Sequence, residues 1–73
     1  MKHYTIGITV NGTTQYEVHT GENPADAREA ARMAMLMAYG SGGVWHVGTA
    51  TESTPAEIEM SRRLTDTMRR YYH

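Results

Sequence analysis

Seventy-three residues allow one domain, residues 1–73, in which about 40% of the surface of the unfolded chain stays exposed after folding. With no cysteine, disulfides and thiolate zinc sites are excluded, so tight packing or self-association must supply the missing stability. Seven basic and eight acidic residues leave a net charge of −1, which singles out no class of partner by charge alone.

The first element is a strand. Tyr4, Ile6, Ile8 and Val10 alternate with His3, Thr5, Gly7 and Thr9, the period of a sheet with one apolar face. A second alternating run carries Tyr16 and Val18, and Asn11-Gly12 between the two runs is a hairpin signal. A two-residue Asn11-Gly12 loop pairs Ile8 with Gln15 and sends Tyr16 and Val18 to the polar face. A three-residue loop, with Gly12 in a left-handed bulge position, pairs Ile6 with Tyr16 and Tyr4 with Val18. Burial on a single face favours the bulged hairpin, which is the expectation.

Asn23, Pro24 and Asp26 open a helix over Pro24–Tyr39, with Asn at the N-cap, Pro at the first helical position and an acid in the first turn. Ala27, Ala31, Ala34 and Ala38 form a stripe narrow enough for close seating on a sheet, whereas Met33, Leu36 and Met37 point away from it. Those three need a cover, either the last helix or another protein. Gly40 ends the helix, and Ser41-Gly42-Gly43 follows as a linker. Because this glycine-rich stretch follows a helix instead of opening one, no helix N-terminus is set to cradle phosphate.

Val44–Thr51 reads as the third strand, with Trp45 and Val47 on the inner face and Trp45 as a core anchor. Thr54-Pro55-Ala56-Glu57 is a full capping box with Pro at the first helical position, opening a helix that runs to about Tyr71. The order β-β-α-β-α implies an α+β fold: a three-stranded antiparallel sheet in spatial order 2-1-3, packed with two helices.

Chemistry is sparse along this frame. No serine or threonine sits in a nucleophile motif and no acid pair has recognisable spacing, so the expectation is a chain without enzymatic activity or cofactor. His3, His19 and His46 fall on the outer sheet face in the bulged register, with His3 opposite His19. Three imidazoles there are a conceivable zinc site, but no spacing holds two of them rigidly, and isolated histidines on a polar face are the favoured reading.

On the last helix Met60, Leu64, Met68 and Tyr71 share one arc, with Tyr72 at its edge, and Arg62, Arg63, Arg69 and Arg70 share another with Glu59 and Asp66. The pairs Glu59–Arg63 and Asp66–Arg70 have the spacing and orientation of a solvated helix face. The alternative is an arginine patch meeting an acidic protein surface or nucleic-acid phosphate.

The run Tyr4–Gly12, then Tyr16-Glu17-Val18, then Asn23-Pro24-Ala25-Asp26-Ala27-Arg28-Glu29-Ala30-Ala31 resembles the opening of small phage and mobile-element proteins, in which a hairpin leads into an Ala-rich helix. Some single-domain anti-CRISPR proteins are similar in size and in this element order. The resemblance spans about half the chain and transfers no functional residue. It implies a non-enzymatic inhibitor that covers a surface of a nucleoprotein effector complex.

The expected function is therefore a small protein-interaction module. Its anchors are Arg62, Arg63, Arg69, Arg70, Tyr71, Tyr72, Met33 and Leu36, its partner is a protein, and homodimerisation is expected. A nucleic-acid-binding regulator using the arginine face is the second reading, and a His-based metal-binding protein the third. No apolar run approaches the roughly 20 residues of a membrane span and the start lacks a signal-peptide core, so a cytoplasmic location is expected.

Overall fold

The computed structural model describes residues 1–71, with side chains described as far as Leu64. Strands β1 (Lys2–Val10) and β2 (Thr13–Gly21) precede helix α1 (Pro24–Tyr39), and strand β3 (Trp45–Glu52) precedes helix α2 (Pro55–Tyr71). The three strands form one antiparallel sheet in the order β2-β1-β3, as the element order implied.

The hairpin corrects the sequence reading. Val10 pairs with Thr13, Ile8 with Gln15, Ile6 with Glu17 and Tyr4 with His19, so the loop is the two-residue Asn11-Gly12 turn and the three-residue bulged loop is absent. Asn11 and Gly12 both adopt positive φ, 51° and 84°, the mirror-image turn whose twist matches the flanking strands. Asn and Gly enter that region at low cost, and the register follows from the turn. The bulged loop rests on the premise that only one sheet face is covered, but α2 lies against the second face. Val18 on that face is half-buried, although Tyr16 is 75% exposed.

The core lies between the other face and α1. Tyr4, Ile6, Ile8, Val47 and Ala50 from the sheet meet Ala27, Ala31 and Met35 from the helix, with Val10 and Trp45 packed at the margin. Ile6 and Ile8 are fully buried, each stabilising the fold by roughly 1.5–3 kcal/mol. The alanine stripe seats the helix only over its first half. Ala34 and Ala38 are exposed, and the i, i+4, i+8 row Ala27–Ala31–Met35 makes the contact instead.

At β3 the pairing with β1 shifts between Ile6 and Ile8, so that β3 carries a bulge there. A side chain at Gly48 would place its Cβ 2.9 Å from the Gly7 carbonyl oxygen, so the close approach of these two backbones requires glycine.

Helix α2 starts where Thr5 Oγ1 and Ser53 Oγ lie 2.7 Å apart, and it packs against β2 on the face away from α1. It therefore does not roof the outer side of α1, contrary to one of the two covers expected from sequence. Met33 and Met37 remain 48% and 87% exposed, and Leu36 is half-buried.

Candidate functional site

Helix α1 is held at both ends by local chemistry. The Asn23 side chain accepts from the Asp26 N–H at 2.9 Å, and the Gly40 N–H returns to the Leu36 carbonyl at 2.8 Å. The Trp45 indole N–H then donates to the Gly40 carbonyl at 3.0 Å, which ties the helix end to β3. On this rigid support Met33 and Met37 sit one turn apart, with Leu36 beside them. Arg32, next to Met33, forks onto Glu29 one turn earlier, and that hydrogen bond holds the Glu29 carboxyl below the usual carboxylate range. The outer face of α1 thus passes from a charged first half to an apolar second half.

A second surface lies along β2. A groove of about 490 Å³ is lined by Thr5 of β1, by Gln15, Tyr16, Glu17, Val18 and His19 of β2, and across from them by Glu57, Met60, Ser61 and Leu64 of α2. Gln15, Glu17 and His19 point to the α1 side, so a space that they line together with Tyr16 and Val18 reaches the β2 edge, while Thr5 of the central strand sets its inner end between the sheet and α2. Tyr16, Met60 and Leu64 are 75%, 64% and 63% exposed, so apolar groups stand uncovered on both sides. The Met60–Leu64 arc was legible in the sequence. Tyr16 was not, because the bulged register assigned it to the core; the Asn-Gly pair was the signal that could have found it.

The anchors expected from sequence do not form one surface. Met33 and Leu36 belong to α1, while Arg62 and Arg63 are exposed on α2 across the sheet. Arg63 reaches Glu59 at 3.4 Å, as the i,i+4 reading anticipated. Arg69, Arg70, Tyr71 and Tyr72 lie outside the described side chains, as does the Asp66–Arg70 pair.

The histidines are also separated. His3 stands opposite Thr20 and His19 opposite Tyr4, so the expected His3–His19 pairing does not occur. His46, opposite Thr9, shares the α2 side with His3, whereas His19 lies on the α1 side, within 2.9 Å of Glu17. The two-residue turn causes this, since moving the register by one residue sends every side chain of β2 to the other face. Among the described residues no three His, Asp or Glu gather as metal ligands. No described helix is long and apolar enough to cross a membrane.

Compared with known proteins, the chain matches no family model, and no curated protein or solved structure matches it significantly.

Proposed function

We propose that this chain is a protein-interaction module that acts by occupying a partner's surface, without turning over a substrate. The observation that carries this reading is the exposure of Met37 and Met33 on a helix whose ends are fixed by the Asn23 cap and the Trp45–Gly40 bond. Flexible thioethers on a rigid support adapt to a partner at little cost in ordering the backbone. The Glu29–Arg32 pair beside them supplies a polar rim that favours correct orientation during encounter. Blocking of this kind is the mode that the resemblance to small phage inhibitors implies. A cytoplasmic place of action accords with a chain that has no cysteine to oxidise.

The docking is assigned to α1 because Arg62 and Arg63 lie across the sheet and Arg63 already has Glu59 as a partner. Photo-cross-linking in expressing cells tests the assignment, with the reactive group placed at Met37 or at Arg62. Position 37 should trap a discrete protein adduct that M33E abolishes, and position 62 should trap none. Adducts to nucleic acid, or protein adducts at position 62 alone, would transfer the function to the arginine face.

A further inference from the structure

The two edges of the sheet are not alike. On β3 the bulge breaks the regular ladder, and the Arg28 guanidinium donates to the Gly48 carbonyl at 2.9 Å and to that of Val47 at 3.4 Å. Acceptors that an added strand would need are already taken, a common way of closing an edge. Among the described residues nothing comparable occurs on β2. The strand pairs with β1 without interruption from Thr13 to Gly21 and contains no proline, lysine or bulge. Its free side opens on the groove flanked by Tyr16, Val18, Met60 and Leu64.

We infer that this open edge pairs with β2 of a second copy, giving a two-fold dimer with a continuous six-stranded sheet. The two-residue turn makes Val10–Thr13 the closing hydrogen-bonded pair, so Thr13, Gln15, Glu17 and His19 direct their backbone groups at β1. Thr14, Tyr16, Val18 and Thr20 therefore present N–H and C=O groups to the open side. A two-fold pairing through these groups centres on Tyr16, Glu17 or Val18. Centring on Glu17 sets two carboxylates directly opposite each other, which is unfavourable. Centring on Tyr16 sets Tyr16 against its own copy and Val18 against Thr14, but leaves Glu17 opposite Gln15 with no opposite charge. Centring on Val18 sets Val18 against its own copy, one apolar pair on the two-fold axis, and Glu17 against the second copy's His19, an acid–imidazole pair that forms twice. Glu17 and His19 already lie 2.9 Å apart within one chain, and the dimer joins two such pairs into one cluster on the α1 side. On the opposite side each copy brings Tyr16 and Val18 to the seam, beside the apolar groups of α2. The charge complementarity of Glu17 and the second copy's His19 in this register identifies the occupant as a second copy.

The claim is independent of the docking role of α1, and M37E should remain dimeric. Light scattering on the full chain should give the mass of two chains, and V18P should give that of one with an unchanged circular dichroism spectrum. The Val18 N–H serves no bond to β1, and edge strands tolerate proline at such positions. Because the chain has no cysteine, V18C also reports the seam directly, whether or not V18P folds. Air oxidation should convert V18C to a covalent dimer and leave T49C, on β3, uncross-linked. A monomer at hundreds of micromolar would overturn the inference and leave the groove to a strand of another protein. A dimer joined by T49C and not by V18C would overturn it as well.

Discussion

Arg28 of α1 donates its Nε–H to the carbonyl of Gly48 on β3 at 2.9 Å, across twenty positions of sequence. One side chain thereby fastens the helix to the sheet and satisfies the strand where its pairing is broken. Arg28→Ala should lower stability by about 0.5–1.5 kcal/mol in urea denaturation, the usual net worth of such bonds. Lysine supplies the charge but not the fork and should rescue little of the loss. The substitution also reopens the β3 edge, so R28A should aggregate faster on warming than variants of equal stability.

Gly48 faces a stricter limit than its flexibility alone would set. A Cβ there would stand 2.9 Å from the Gly7 oxygen, a backbone atom with no freedom to swing aside. Gly48→Ala should cost roughly 1–3 kcal/mol as the strands separate to admit it. Gly42, which has nothing near its missing side chain, is the matched control: G42A should leave the melting temperature almost unchanged.

At the hairpin, Gly12 has φ of 84° and open space around it, so the cost of a side chain there is conformational only. Gly12→Ala should destabilise by about 1 kcal/mol. Gly12→Asn, which enters the left-handed region more readily, should recover part of that loss. Equal stability of the two variants would count against a mirror-image turn.

The start of α2 depends on a carboxylate. The Thr54 N–H donates to Glu57 Oε1 at 2.9 Å, and the Glu57 N–H donates to Thr54 Oγ1 at 3.2 Å. The Thr54 backbone bond first, and then the hydroxyls of Thr5 and Thr54, hold the Glu57 carboxyl below its ordinary range. A lowered folded value means that the ionised group stabilises the native state above the unfolded value of about 4.3, and that this contribution is lost as pH falls through the folded value. Thermal melts from pH 7 down to pH 2.5 should show the loss below that point. E57Q, which keeps the cap geometry without the charge, should flatten that part of the profile.

Substitutions on the outer face of α1 should separate binding from folding. Met37→Glu alters a side chain that is 87% exposed and should shift stability by no more than about 0.5 kcal/mol. Ile6→Ala, in the fully buried centre, should cost about 2–5 kcal/mol. A loss of partner binding in M37E with an unchanged melt would mark a contact surface, whereas a loss of stability near that of I6A would mark a core position.

The elements themselves were legible because they are written in local chemistry. Asn23 with Pro24, the Thr54–Glu57 box, Gly40 and the alternation from Tyr4 to Val10 each act within a few residues, and each appears in the structure where the residues place it. Strand order followed from connection length and handedness. The faces could not be read in this way. Whether Tyr16 turns inward depends on where α2 goes, and that helix is separated from β2 by more than thirty residues. A local preference, the Asn-Gly turn, competed with a global one, burial on a single face, and the outcome rested on whether the second face was covered.

The sequence by itself determined the order of the elements, the caps of the helices and the apolar face of β1 carrying Tyr4, Ile6 and Ile8. Only the tertiary structure decided that α1 and α2 lie on opposite sides of the sheet. That arrangement parts Met33 and Leu36 from Arg62 and Arg63, while the two-residue turn parts His3 from His19; among the described residues Arg28 closes the β3 edge and nothing similar covers β2. The reason is physical: caps and turns are settled by hydrogen bonds a few residues apart, whereas the side of a sheet on which a helix lands is settled by packing between segments that sequence spacing does not relate.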